Sequence, residues 1–154
     1  MGREIERKFL VKNESWRLFA VGVSCRQGYL SRGEKRTVRI RIIGDKGFIT
    51  VKGMAKGLVR PEYEYEIPVD DAEAMLNHLC EKPLIEKIRY KIPYGGLIWE
   101  VDEFRGENHG LVLAEVELTS EEQAFEKPEW IGKEVTGMAP YLNSNLVVRP
   151  FTRW

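Results

Sequence analysis

The chain has 154 residues, 43% hydrophobic and 31% charged, with 24 basic side chains balanced by 24 acidic ones. This length suits one domain, 1–154, that buries a core without disulfide or metal staples, and the composition excludes a disordered chain. The balanced charge gives no global pull towards nucleic acid or an anionic membrane, and no apolar run approaches the roughly 20 residues that span a bilayer.

In chain order, the reading is mostly strand. Alternation with a period of two, rich in β-branched and aromatic residues, marks segments near 4–11, 24–30, 36–43, 47–53, 58–69, 84–93, 96–104 and 110–119. The gaps are short and full of turn formers, such as Gly44-Asp45-Lys46-Gly47 and Tyr94-Gly95-Gly96. Connections this short join antiparallel neighbours, because a parallel pair needs a crossover of about a dozen residues. Three helical stretches are predicted among the strands. Trp16 and Phe19 mark a brief amphipathic turn in 14–20. Asp70-Asp71-Ala72-Glu73 offers an N-cap carboxylate, with Met75, Leu76, Leu79 and Cys80 on one face and Pro83 as the stop. Ser120-Glu121-Glu122-Gln123 reads as a second capping box leading towards Phe125, and the tail from 130 to 154 reads as irregular, with a short helix after Pro140. The result is a β-rich α+β domain whose helices cover the outside of a sheet or barrel.

Charge placement carries the chemistry. Residues two apart in a strand share a face. On this spacing Glu4, Glu6 and Lys8 lie together opposite Ile5 and Phe9, and Arg39 and Arg41 lie opposite Val38, Ile40 and Ile42. The same holds for Lys52, for Glu62, Glu64 and Glu66, for Lys87 with Arg89, for Glu100 with Asp102, and for Glu115 with Glu117. A solvated sheet face is the ordinary explanation of such a pattern. A solvated face mixes its signs, however, and like charges two apart gain nothing on a bare surface. Five bases (Arg39, Arg41, Lys52, Lys87, Arg89), with Lys8, suit an anion rich in oxygens, since Arg offers bidentate forks and Lys a point charge. Glu4, Glu6, Asp102, Glu115 and Glu117 would be unfavourable beside it unless divalent cations intervened, and all-oxygen ligation suits Mg²⁺ or Mn²⁺. The pattern predicts a polyphosphate–metal site.

Other chemistries lack their residues. No Gly-rich phosphate loop is present, and His78 and His109 stand alone, as structural or solvent-facing side chains. Cys25 and Cys80 sit in dissimilar contexts and read as buried thiols of a reducing compartment. The start Met1-Gly2-Arg3-Glu4 is charged, unlike a secretory signal, so the expected location is cytoplasmic.

The opening Glu4-Ile5-Glu6-Arg7-Lys8 resembles the Glu-x-Glu-x-Lys signature of the CYTH superfamily, the triphosphate tunnel metalloenzymes. The order of that family's further segments follows: Gln27-Gly28-Tyr29-Leu30, Val38-Arg39-Ile40-Arg41, Thr50-Val51-Lys52-Gly53, Glu62-Tyr63-Glu64, Glu86-Lys87-Ile88-Arg89-Tyr90, Glu100-Val101-Asp102-Glu103-Phe104 and Ala114-Glu115-Val116-Glu117. The likeness covers essentially the whole chain and is strongest to short bacterial members that hydrolyse inorganic tripolyphosphate. It implies an eight-stranded antiparallel barrel forming a tunnel, with its charged faces turned inward. By similarity, Lys8, Arg39, Arg41, Lys52, Lys87 and Arg89 would grip the phosphate chain. Glu4, Glu6, Asp102, Glu115 and Glu117 would organise two Mg²⁺ or Mn²⁺ ions. Glu62 and Glu64 match acidic tunnel positions, and Tyr29 matches a position close to the tunnel that suits a barrel wall equally well.

The implied reaction is in-line attack of water on a terminal phosphoryl group of tripolyphosphate or another triphosphate, such as ATP or thiamine triphosphate. A class IV adenylate cyclase, which shares the barrel, and a non-catalytic polyphosphate-binding module are the alternatives. Nucleic acid and membrane are not expected partners, and a homodimer is compatible with the pattern without being specified by it. The tail departs from the family: after Glu134-Val135-Thr136, where relatives carry Asp-x-Arg-Tyr, Met138 and Pro140 hold the Asp and Arg positions before Tyr141. The tail is expected to plug one tunnel end, so this change bears on closure and length selection.

Overall fold

The computed structural model describes residues 2–33 and 35–154; Met1 and Glu34 lie outside it. The described residues form nine strands: β1 (Arg3–Val11), β2 (Val23–Ser31), β3 (Arg36–Ile43), β4 (Lys46–Gly53), β5 (Val59–Ile67), β6 (Ile85–Tyr94), β7 (Leu97–Phe104), β8 (Val112–Glu117) and β9 (Ile131–Glu134). Two α-helices, α1 (Val69–His78) and α2 (Asn143–Val148), join them. The strands run in the order β5-β4-β3-β2-β6-β7-β8-β1, every pair antiparallel, and β1 returns to β5 through Arg3↔Pro61 and Ile5↔Val59. Eight strands thus close into a barrel, as the family resemblance implied. Closure removes the sheet edges that an open sheet would leave bare.

β1 outruns its seam with β5. Its second half pairs β9 at Phe9 and Val11, while β8 takes the other edge from Glu6 to Leu10. β9 lies in the stretch expected to be irregular. Four residues including Gly132 carry too little alternation to signal a strand, and a distant edge in need of a partner supplies the order. The second capping box fails for a related reason. Gln123 Oε1 accepts hydrogen bonds from Thr119 N and Oγ1 at 2.6 and 2.9 Å, and the chain then extends so that Phe125 packs against Phe9 and Trp99. A helix ending before Pro128 would be too short to stand without such packing.

The first two helical predictions are met with small shifts. A 3₁₀ turn over Ser15–Leu18 buries Trp16 fully and leaves Phe19 exposed. α1 starts at Val69 after Pro68, with no side-chain cap; Asp70 and Asp71 stand in its first turn, where the helix dipole favours them. Ala72 and Leu76 are buried on its inner face and Cys80 just beyond its end, whereas Leu79 ends the helix facing solvent. The helix lies so close to β4 that a Cβ on Gly47 would come within 2.8 Å of Ala72 Cβ. Cys25 and Cys80 are both buried and free, and His78 and His109 are both exposed.

Inside and outside are inverted relative to a barrel with an apolar lumen. The apolar strand faces point outward into two cores. One gathers Phe9, Trp16, Trp99, Val101, Val116 and Trp130 under the segments around the 3₁₀ turn and β9. The other packs Ile40 and Ile42 against Ala72 and Leu76 of α1. Each large side chain so buried contributes about 1.5–3 kcal/mol. A third cluster sits within the barrel at one end, where Tyr29, Ile85, Phe104 and Leu113 meet Leu146 and Val147 of α2. The rest of the lumen is left to charge.

Candidate active site

Strand pairing brings the charged faces together. Directly opposed residues of antiparallel strands share a face, and the register opposes Lys8 to Glu115, Glu115 to Glu100, Arg89 to Asp102, Thr50 to Arg39 and Lys52 to Glu62. All of these side chains except Thr50 and Asp102 line a cavity of about 340 Å³. All the side chains predicted for the site line this cavity except Asp102, which lies behind its wall. Tyr29 does both things left open for it: it borders the cavity and belongs to the apolar cluster at the barrel's end.

The cavity has a blind end and an open one. Along β6 the side-chain exposure runs from 1% at Lys87 to 9% at Arg89 and 67% at Lys91. On the facing β7 it runs from 2% at Asp102 to 31% at Glu100. The blind end abuts the apolar cluster, and Leu142, Asn143 and Ser144 of the tail form part of its floor. Closure survives the changes at Met138 and Pro140 because other atoms provide it: Lys8 Nζ donates to the Tyr141 carbonyl at 3.0 Å, and Lys87 Nζ to Asn143 Oδ1 at 3.2 Å.

The basic side chains are oriented by neighbours. Arg89 grips Asp102 with Nε at 2.8 Å and NH2 at 2.9 Å, and Lys87 Nζ lies 2.8 Å from the same carboxylate. Asp102 is only 2% exposed; although burial works against its charge, Arg89 and Lys87 hold its carboxyl far below the usual range. Burial likewise opposes charge on Arg89, yet Asp102 raises it well above normal. Asp102, expected among the metal acids, therefore belongs to the basic wall, and its oxygens already accept from both bases. On the next wall, Arg41 NH2 donates to Glu64 Oε1 at 3.0 Å, and Thr50 Oγ1 donates to the same oxygen at 2.7 Å. Burial, with Arg39 and Arg89 close by, lowers Arg41. Among the described residues, the buried Nε atoms of Arg39 and Arg41 have no hydrogen-bond partner.

The acidic wall is under-compensated. Lys52 Nζ reaches Glu4 Oε1 at 2.7 Å and Glu62 Oε2 at 3.5 Å. Lys8 lies 3.7 Å from Glu115; burial opposes that acid's charge, but Lys8 leads the bases that bring it down to about 2. No ion pair among the described residues reaches Glu6 or Glu117. Burial, then Glu115 and Glu4, push Glu6 well above the carboxylate range, and burial with Glu4 and Glu100 raises Glu117. Such crowded oxygens suit a hard divalent cation, which would supply the missing positive charge. The described residues hold no ready-made group of three ligands, since Glu4 is turned onto Lys52 and Glu115 towards Lys8.

Several cavity residues escaped the sequence reading. Thr37, Arg60, Lys91, Asn143 and Ser144 all line the cavity. Thr37 continues the alternation of Arg39 and Arg41 and was legible in principle. Asn143 and Ser144 arrive from a distant tail, and no strand period marks them.

A closed antiparallel barrel with its charges inside and two of its three hydrophobic clusters outside defines a class of charge-lined, anion-binding barrel. The CYTH domain model matches residues 2–149, and the chain belongs to that family. It is 56% identical over 151 residues to an inorganic triphosphatase of Acetivibrio thermocellus, covering 98% of this chain and 97% of that protein. It is 43% identical to an inorganic triphosphatase of Nitrosomonas europaea, with 94% and 97% covered. A solved structure of an inorganic triphosphatase superposes with a TM-score of 0.64 at 36% identity, covering 94% of this chain and 97% of that one.

Proposed function

We propose that this chain is a divalent-metal-dependent hydrolase of phosphoanhydrides, with inorganic tripolyphosphate as substrate and the lumen of a single domain, 1–154, as the active site. The carrying observation is the convergence of Lys8, Arg39, Arg41, Lys52, Lys87 and Arg89 on one cavity beside acids that lack counter-charge. Identity of 56% to an inorganic triphosphatase supports the choice of substrate.

The buried bases would bind the phosphoryl oxygens, with Arg39 and Arg41 offering forks and Lys8 and Lys87 point charges near the blind end. Fixed in place before substrate arrives, they stabilise charge developing on the transferring and leaving oxygens without reorganising. Asp102 orients Arg89 and Lys87, and Glu64 with Thr50 orients Arg41. Glu4, Glu6, Glu115 and Glu117 would hold Mg²⁺ or Mn²⁺, with Glu62 beside them. Bound there, the metal supplies Lewis acidity towards phosphoryl oxygens and lowers the pKa of an attacking water. The cytoplasm, where cysteines stay reduced, fits the two free thiols.

The test is phosphate release from tripolyphosphate, ATP and thiamine triphosphate, with Mg²⁺, with Mn²⁺ and with chelator. Fast, chelator-sensitive release from tripolyphosphate is expected. Cyclic AMP formed from ATP, or tight tripolyphosphate binding without turnover, would replace this reading with a cyclase or a binding module.

A further inference from the structure

Lys8 and Lys87 meet the tail at the blind end through uncharged oxygens. Asn143 Oδ1 accepts from Lys87 Nζ at 3.2 Å and from the fully buried Gln27 Nε2 at 3.0 Å. The Tyr141 carbonyl accepts from Lys8 Nζ at 3.0 Å. An ammonium has three donors. On Lys87 one points to Asp102 Oδ2 at 2.8 Å and one to Asn143, which leaves one for the cavity that Lys87 lines. Gln27 comes from β2 and Lys87 from β6, so Asn143 ties the tail to two neighbouring strands at once. A neutral amide oxygen directs the ammonium without cancelling its charge, whereas a carboxylate there would repel a phosphate.

We propose that Asn143, oriented by Gln27, is a positioning residue that holds the Lys87 ammonium towards the terminal phosphoryl group of the substrate. The docked tail is then part of the binding site as well as its floor. This inference rests on the proposed function, in which Lys87 binds phosphate. Without the Asn143 oxygen, Asp102 alone directs Lys87 and draws the ammonium back into the wall.

The experiment compares Asn143→Ala, Asn143→Asp and Asn145→Ala with the unaltered chain. Asn145 lies in the same helix and donates to the Ala139 carbonyl at 2.7 Å, away from Lys87, so its removal perturbs the tail alone. Tripolyphosphate affinity is measured by calorimetry in chelator and again with Mg²⁺, and melting temperature alongside. Asn143→Ala should weaken binding about tenfold, the scale of one misdirected charge-assisted hydrogen bond. Asn143→Asp should keep the melting temperature yet bind more weakly still, because it restores the contact but adds negative charge. Asn145→Ala should stay within about twofold in affinity, having lost no phosphate contact. Asn143→Ala binding like the unaltered chain, Asn143→Asp restoring full affinity, or Asn145→Ala weakening it equally would each overturn the inference. Failure of the unaltered chain to bind tripolyphosphate under either condition would instead overturn the functional reading beneath it.

Discussion

Asp102 and Glu6 are both acids on inward strand faces, one behind the cavity wall and one lining it, and their surroundings treat them in opposite ways. Asp102 is enclosed by Arg89 and Lys87, which hold it ionised despite burial. Glu6 meets burial and two further acids, Glu115 and Glu4, and its carboxyl is pushed up. The first neighbourhood is electrostatically complete within the polypeptide. The second calls for positive charge from elsewhere. A lumen with one satisfied wall and one unsatisfied wall is arranged to take anion and cation together.

The largest expected effect comes from breaking the satisfied side. Asp102→Ala leaves two bases buried without their acid and should lower stability by about 3–5 kcal/mol in urea unfolding. The sign with pH follows from its lowered pKa. The Asp102 contribution is fully present above its ordinary value near 3.8 and is lost only as pH falls through the lower folded value, so the gap to Asp102→Asn should hold at neutral pH and narrow only in strong acid. A gap that closes between pH 5 and 7 would place the acid's partner elsewhere. Next in size is the grip itself. Arg41→Ala removes charge-assisted hydrogen bonds worth about 1.5–3 kcal/mol, so kcat/KM for tripolyphosphate should fall roughly tenfold to a hundredfold in steady-state assays.

The unsatisfied side should respond with the other sign. A raised carboxyl costs stability once pH exceeds its unfolded value, so Glu6→Gln should melt higher than the unaltered chain at neutral pH without metal, while losing turnover. A lower melting temperature together with retained turnover would erase the contrast with Asp102. The smallest effect belongs to a pair outside the lumen. Arg7 and Glu134 meet at 2.5 Å across β1 and β9, both partly exposed, and Arg7→Ala should change stability by at most about 1 kcal/mol and leave turnover unchanged.

How much of this was legible in the sequence depended on the range of the signal. Strand alternation is local, so Glu4-x-Glu6-x-Lys8 and Arg39-x-Arg41 displayed their shared faces, and the like-sign grouping marked them as more than a wet surface. Alternation cannot tell a lumen from an outer face; only the order of the resembling segments pointed inward. The pairing of Asp102 was hidden because its spacing matches that of the other acids, and only register reveals that Arg89 stands opposite it. β9 and Asn143 were invisible for a shared reason: each is fixed by partners more than a hundred residues away, Phe9 for the strand and Gln27 for the amide.

If the unsatisfied acids form a cation site, adding Mg²⁺ or Mn²⁺ without substrate should move the melting temperature. The unaltered chain should melt higher with either ion in a concentration-dependent way, and Glu6→Gln and Glu117→Gln should lose most of that rise. No rise with either ion, or a rise that both variants keep in full, would show that these acids do not hold the cation.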